Sequence, residues 1–119
     1  MNEEEVRALV AEVTARWAGD PDSGVVWAGD HEGRRGVRLR QRGRDFTTVW
    51  FGVGQRTLAV EAYVLSVPAP GRREEVLRQC LARNLAFRRL HFALDRHGEV
   101  LLVGRVPVGE VTEEELELV

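Results

Sequence analysis

The sequence predicts an α+β domain built on an antiparallel sheet, and three observations carry that prediction. Two runs with strand period, residues 46–53 and 57–67, are separated by Gly54-Gln55-Arg56. A segment with helical period, residues 72–84, follows them. Two short apolar runs on either side of Arg96-His97-Gly98 then form a second hairpin. A long hairpin, a helix and a short hairpin in this order make one α+β unit with an antiparallel sheet.

The first 17 residues predict a helix that packs through one apolar side. Asn2 can cap it, and the following Glu3, Glu4 and Glu5 interact favourably with the helix dipole. Loop-forming residues at 19–24 end the helix. Apolar residues recur at spacings of three and four along the helix, and we expect the core to bury Val6, Leu9, Val13 and Trp17.

The next segment supplies the first strand of the predicted sheet. Residues 25–27 fit either a short extended piece or a packed loop, and residues 28–33 form a turn. Residues 37–42 alternate between apolar and polar, the period of a strand with one polar face. That polar face carries Arg38, Arg40 and Arg42, and a turn at residues 43–45 leads into the second strand.

The second helix and the last hairpin complete the domain. The helix has an apolar stripe that includes Leu77, Cys80 and Leu81, so we expect Cys80 to be a buried and unreactive core residue rather than a nucleophile. Strands at residues 91–95 and 100–106 follow, and Thr112 opens a short helix. The predicted order is helix, three antiparallel strands, helix, two strands and short helix, in a single domain spanning residues 1–119.

Composition limits the classes of protein to which the chain can belong. Hydrophobic residues make up 44% and charged residues 30%, which is ordinary for a globular protein, and the net charge of −2 gives no global attraction to nucleic acid or anionic membranes. No apolar run approaches the 18 or so residues of a membrane span. One cysteine excludes an internal disulfide, so a cytoplasmic protein is expected. Lysine and isoleucine are absent, which indicates a bacterial genome rich in G and C rather than selection for arginine.

The sequence contains no pattern typical of an active site. No nucleophile elbow, phosphate-binding loop or zinc-protease motif occurs. His31 and His97 fall in predicted turns, and His91 opens a strand, so the histidines do not form a ligand set with close spacing. We therefore expect no metal, no organic cofactor and no enzymatic activity.

The densest group of basic residues, at positions 34–44, allows two interpretations. Arginines on one face of a strand near Trp27 are compatible with a nucleic-acid surface. They are equally compatible with a solvated edge strand, where charge discourages pairing with other chains. The second interpretation is favoured because the chain as a whole is acidic. Such a strand can also attract an acidic partner protein.

Several motifs resemble actinobacterial members of the YbjN family, which are described as regulators of sensory transduction. The similar segments are DFTTVWFGVGQRTLAVEAYVL, the helix ending in RNL, and HFALDRHGEVLLVGRVPV, and the resemblance runs from about Val37 to Glu115. The family is similar in fold to class I type III secretion chaperones, which are homodimers that bind extended segments of client proteins. Family members continue into a full C-terminal helix that packs on the sheet, whereas here only about two turns follow residue 112.

The resemblance implies a protein-interaction module rather than an enzyme. We expect a homodimer that binds a segment of a partner protein through an edge strand or a sheet face, because arginine and large aromatic residues are enriched at interface hot spots. The alternative is a nucleic-acid-binding regulator that uses the arginine-rich strand 37–44. The residues predicted to contact the partner are Arg38, Arg40, Arg42, Trp50, Phe51 and Tyr63, and Trp27 is a further candidate for an apolar anchor.

Overall fold

The computed structural model describes residues 1–41, 44–65, 70–87 and 89–118, which form one six-stranded antiparallel sheet and its helices. Strand order across the sheet is β1-β2-β3-β4-β6-β5, with all neighbouring strands antiparallel. The elements in chain order are α1 Glu3–Ala18, β1 Val25–His31, β2 Arg34–Gln41, β3 Arg44–Val53, β4 Thr57–Leu65, α2 Arg73–Asn84, β5 Leu90–Leu94, β6 Val100–Pro107, a 3-10 turn Val108–Glu110, and α3 Glu113–Leu118.

The α+β class and the order of helices and hairpins are confirmed, and the structure adds one strand to the prediction. Strand β1 pairs with β2 over most of its length, so the piece at residues 25–27 is the start of a seven-residue strand. The two strands meet at Glu32 and Gly33, which both have positive φ and form the tight turn. Four strands rather than three therefore precede α2.

The added strand changes the position of the arginine-rich strand. Strand β2 lies between β1 and β3, so the expectation that residues 37–42 form an edge strand is wrong. The two edges of the sheet are β1 and β5. A partner strand cannot pair with β2, because both sides of its backbone already pair with neighbouring strands. Only the side chains of β2 are available to a ligand.

Helix α1 covers one face of the sheet, which we call the inner face. Its N-terminus carries a capping box, in which the Asn2 side chain accepts from the Glu5 backbone N–H at 2.9 Å. The side that packs against β1, β2 and β3 buries Val6, Val10, Val13 and Thr14. Val6 and Val13 were predicted correctly, while the predicted Leu9 and Trp17 are only partly buried at the border of the core.

The core lies between α1 and the inner face. Inner residues from five strands meet there, and Leu116 of α3 closes one end. Burying valine and leucine side chains of this kind stabilises a fold by about 1.5–3 kcal/mol each. The buried strand residues are Val25, Val37, Phe51, Leu58, Val60 and Val106.

Helix α2 packs differently, because none of its residues is buried. It contacts β5, where the Asn84 side chain accepts from the Phe92 backbone N–H at 2.6 Å. Cys80 is half-buried, so the prediction of a buried core cysteine is wrong. The apolar stripe of α2 exists as the sequence indicates, but within the described chain it lies beside the sheet rather than against the core.

Candidate partner-binding face

The sheet has a second face, opposite α1, which we call the outer face. Side chains alternate between the two faces along each strand. Val37, Phe51 and Val60 point inward and are buried, and the neighbours of Val37 and Val60, such as Arg38 and Glu61, are exposed. The outer face is therefore in contact with solvent across the described strands.

Two arginine–tryptophan pairs occupy the half of the outer face formed by β1, β2 and β3. The Arg34 guanidinium carbon lies 4.9 Å from the centre of the Trp50 ring. The Arg38 guanidinium carbon lies 5.4 Å from the centre of the Trp27 ring. Both distances are within the range of cation–π attraction. We call Trp27, Arg34, Arg38 and Trp50 the Arg–Trp cluster.

Glycine at position 36 allows the two indole rings to lie low over β2. Gly36 pairs with Trp50 in the register of β2 and β3. A Cβ atom at Gly36 would lie 2.6 Å from Cζ3 of Trp50 and 2.8 Å from Cζ3 of Trp27, so any side chain at this position would displace the indole rings or the backbone. The absence of a side chain at this point thus brings both rings over the same backbone segment. His31 adds a third ring, 5.9 Å from that of Trp50.

The outer face is also the basic side of the molecule. Among the described side chains that alternate onto it, Arg34, Arg38, Arg40 and Arg105 are cationic and Glu61 is the one acidic residue. The acidic excess that makes the whole chain net negative therefore lies elsewhere, for example in the first turns of α1 and α3. This separation gives the outer face a local attraction for anionic groups.

The other half of the outer face, formed by β4 and β6, is more apolar. Tyr63 is 43% exposed and pairs in register with Leu101. Val103 pairs with Glu61 one step further along the same two strands. Leu101 and Val103 are each partly exposed. The outer face thus combines a cationic and aromatic half with an apolar half.

The structure brings together most of the residues that the sequence predicted to contact a partner. Arg38, Arg40, Trp50 and Tyr63 all lie on the outer face. Phe51 lies on the inner face, is 4% exposed and belongs to the core, so it is not available to a partner. Its position follows from alternation, since Trp50 and Phe51 are consecutive residues of one strand. Arg42 lies outside the described residues.

The prediction did not include Arg34 and Gly36 among the contact residues, and it named Trp27 as a candidate anchor without placing it on a strand. The cluster that these three positions help to form becomes apparent only when residues 25–31 are recognised as a strand. The signal available in the sequence was the turn Asp30-His31-Glu32-Gly33 between two segments that alternate in polarity. A hairpin placed at that turn would have aligned Trp27 with Arg38, as observed.

The inner face contains a second feature, an apolar groove of about 660 Å³. It lies between the C-terminal end of α1, the strands and α3, where no described helix covers the sheet. The residues that line it include Trp17, Leu39, Val49, Ala62, Leu102 and Leu116.

The described part of the chain shows no cluster of titratable groups typical of catalysis or metal binding. No group of three or more His, Cys, Asp or Glu side chains converges within it. Partial desolvation raises the pKa of Asp95, but backbone N–H groups of Glu99 and His97 donate to its carboxylate at 3.0 and 2.8 Å and hold the pKa below its ordinary value. This carboxylate therefore serves the turn between β5 and β6. None of the described helices has the length and apolar character required to cross a bilayer.

Comparison with known proteins identifies a family for the segment of the chain that forms these faces. A search of curated proteins gave no match. The sequence model of the YbjN family, by contrast, matches residues 10–119, which include the whole sheet, α2 and α3. The matched segment contains every described residue of the Arg–Trp cluster and of the apolar half of the outer face. The chain therefore belongs to the YbjN family, whose description is "Putative bacterial sensory transduction regulator".

Proposed function

We propose that this protein is a non-enzymatic regulatory module that binds a segment of a partner protein on the outer face of its sheet. The observation that carries the proposal is the Arg–Trp cluster, in which two guanidinium groups lie over two indole rings on a face that no described helix covers. Tryptophan and arginine are the residue types most enriched at interface hot spots. The family description, a regulator, supports the same class of function.

The proposed route of binding differs from addition of a strand to β2, because β2 is not at an edge. A partner would contact side chains of β2, β3 and β4 from above the sheet. The proposed setting is the cytoplasm, on the ground that a chain with one cysteine needs no oxidising compartment to form internal disulfides.

Affinity capture from the native cell with a charge-reversed variant tests the proposal. Arg38→Glu/Arg40→Glu reverses two exposed charges of the outer face. The matched control, Arg73→Glu/Arg96→Glu, makes the same change in charge at exposed positions off that face. We expect the outer-face variant to lose partners that the wild type and the control retain. Thermal unfolding of all three proteins checks that each is folded, and identical sets of captured partners would contradict the proposal.

A nucleic-acid-binding regulator is the second candidate, because arginines beside tryptophans on an open sheet also suit single-stranded nucleic acid. Fluorescence anisotropy with single-stranded DNA and RNA separates the candidates. Binding that falls steeply with salt and requires Arg34 and Arg38 would favour nucleic acid. Partner capture in the presence of nuclease would favour a protein ligand.

We also propose that the protein forms a homodimer. The supporting observation is that four large apolar side chains at the C-terminal end of α2, just after it and in β5 are exposed: Leu81, Leu85, Phe87 and Leu94. Contiguous exposed apolar patches on proteins commonly mark interfaces, and two-fold dimers are the most frequent assembly. Light scattering that gives the 13.4 kDa mass of one chain across the micromolar range would contradict this proposal.

A further inference from the structure

We infer that the occupant of the outer face is an amphipathic helix of the partner protein, with acidic residues on one side and apolar residues on the adjacent side. The inference rests on the proposed function and names the chemistry of the partner. The helix would lie along the strands over β3 and β4, with its acidic side towards β2 and its apolar side towards β6.

The layers of the molecule provide the first argument. A sheet with one apolar face is commonly stabilised by a helix layer, and here α1 supplies that layer on the inner face only. The outer face, from β2 to β6, is three strand spacings or about 14 Å wide. A helix with its side chains is about 10–12 Å in diameter, so one helix can contact both halves of this face at once.

The Arg–Trp cluster provides the second argument. Arg34 and Arg38 are four residues apart on one strand, so their Cα atoms are about 13 Å apart. Two residues separated by seven or eight positions on a helix lie on one side and are about 10–12 Å apart. Glutamates two turns apart can therefore reach both guanidinium groups, which the indole rings hold in place. Hydrogen bonds between guanidinium and carboxylate are among the strongest that side chains form.

The apolar half provides the third argument. Tyr63, Leu101 and Val103 lie one beside another on β4 and β6, at the distance from β2 where the adjacent side of the same helix would lie. A nucleic-acid strand offers no equivalent apolar side chains, so this half of the face favours a protein ligand. Glu61 lies between the two halves and would repel a misplaced acidic residue.

The charges of α2 argue against a second copy of this chain as the occupant. Helix α2 has a partly exposed apolar stripe, but it carries Arg73, Arg78 and Arg83. Arg78 pairs with Glu74 of its own helix at 2.7 Å, which leaves little acidic character to offer the outer face. Helices α1 and α3 do carry acidic residues, but their apolar side chains, such as Val10 and Leu116, are buried in the core of their own chain. The complementary helix is therefore expected in another protein.

Binding of two matched synthetic peptides tests the inference. Both are fluorescein-labelled 18-residue peptides with leucine at helical spacing; one has glutamate along the side adjacent to the leucines, and its twin has lysine at the same positions. Anisotropy is measured with the full chain at low and physiological salt, and an 18-nucleotide single-stranded DNA is titrated in parallel. We expect saturable binding of the glutamate peptide below about 100 µM, with the lysine peptide and the DNA bound at least about tenfold more weakly.

Three variants assign the binding to the outer face. Arg34→Gln/Arg38→Gln should weaken the glutamate peptide by at least about tenfold and reduce its dependence on salt. Tyr63→Ala should weaken it by about threefold to tenfold with the salt dependence unchanged. Glu61→Gln should strengthen it by about twofold to threefold, because it removes a negative charge beside the acidic helix. Thermal unfolding of each variant confirms that it is folded before its affinity is compared.

Three outcomes would overturn the inference: no binding of the glutamate peptide at 100 µM or so, equal binding of the lysine peptide, or tighter binding of the DNA. The proposed function fails separately, in the capture experiment. If capture depends on Arg38 and Arg40 while the glutamate peptide does not bind, the outer face binds a partner of different chemistry and only the helix inference is lost.

Discussion

Helices α1 and α2 have apolar stripes of the same kind in sequence, yet they have opposite relations to the core. In α1 the stripe is buried, with Val6 and Val13 fully inaccessible to solvent. In α2 no residue is buried, and Leu81 is 71% and Leu85 94% exposed. Helical period therefore tells which side of a helix is apolar, but not whether the chain supplies a surface to cover it.

The difference follows from what lies opposite each helix. Helix α1 faces the inner residues of β1, β2 and β3, which supply a broad apolar surface. Helix α2 follows the interior strand β4 and precedes the edge strand β5, and its contacts are with β5. Its N-terminus also lacks a side-chain cap, whereas α1 begins with a capping box. In the described chain, α2 is thus held by few interactions, and its stripe is half-buried at Leu77 and Cys80 and exposed at Leu81.

The largest expected effect comes from placing a charge in each stripe. Val13→Asp should unfold the protein, because burying an unpaired carboxylate and losing the apolar contact together cost several kcal/mol, about 4 or more, of a total stability of about 5–15 kcal/mol. Leu81→Asp, at an exposed position, should change the free energy of unfolding by about 0.5 kcal/mol or less. Chemical denaturation followed by circular dichroism measures both.

The concentration of protein has to be low in this comparison, since a dimer formed through α2 would add its own stability by mass action. At concentrations where both proteins are monomeric, a loss on Leu81→Asp as large as that on Val13→Asp would show that α2 is part of the cooperative core. The contrast between the two helices would then be wrong.

The second prediction concerns the exposed patch of α2 itself. Leu81→Asp/Leu85→Asp should convert the proposed homodimer into a monomer, because two carboxylates would have to be desolvated in an apolar interface. Light scattering should show the mass fall by half. Arg38→Glu/Arg40→Glu, which alters the outer face, should leave the dimer intact. Loss of the dimer in the outer-face variant alone would place the interface on the sheet rather than on α2.

The same contrast shows how far the sequence can predict this protein. The spacing of apolar residues was sufficient to predict α1, β3, β4 and the last hairpin. Each of these elements is bounded by residues that favour turns, and each packs on its apolar side. It was not sufficient for β1, in which Trp27, Gly29 and His31 share one side and no run of β-branched residues marks a strand. The site depends on that strand, so Arg38 was predicted as a contact residue and Trp27 as a candidate anchor, while Arg34 and Gly36 were not assigned to it.

Burial could not be predicted where it depends on a distant part of the chain. Trp50 and Phe51 are both large aromatic residues at consecutive positions of one predicted strand. Only the pairing of β2 with β3 determines which of them faces α1. Cys80 lies on an apolar stripe like that of Val10, and only the absence of a layer over α2 in the described chain leaves it half-buried. Such features are set by long-range packing, which local period does not encode.

The third prediction tests a polar contact that fixes α1 on the sheet. The Arg35 side chain of β2 points inward, and its Nε donates to the Thr14 hydroxyl at 2.9 Å, while that hydroxyl donates to the Val10 carbonyl at 2.6 Å. Thr14→Val should lower the free energy of unfolding by about 1–2 kcal/mol, because Arg35 loses an acceptor at a largely buried position. Denaturant unfolding measures the loss.

A double-mutant cycle separates this contact from other effects of the hydroxyl. Arg35→Met keeps much of the apolar stem, and in that background Thr14→Val should cost about 0.5 kcal/mol or less. Equal costs in the two backgrounds would show that the contact with Arg35 does not contribute to the docking of α1. An equivalent double-mutant cycle between α2 and the sheet cannot be built on its described ion pairs. Glu74 and Glu75 pair with arginines of the same helix or of its N-cap, not with residues of a strand.

The last prediction concerns Cys80, and it compares the accessibility of the two helices directly. Cys80→Ala should lower the free energy of unfolding by about 1 kcal/mol or less, because the thiol is only half-buried and no cavity forms in the core.

Thiol labelling of the native protein should proceed at Cys80 without global unfolding. In the double variant Val13→Cys/Cys80→Ala, the single thiol lies in the core under α1, so its labelling should require unfolding and should accelerate with denaturant. If α2 forms the dimer interface, labelling of Cys80 should also become faster on dilution, whereas labelling of the thiol introduced in α1 should not. Equal labelling rates at the two positions under native conditions would mean that α1 and α2 are protected to the same degree, and the distinction between the two helices would have to be abandoned.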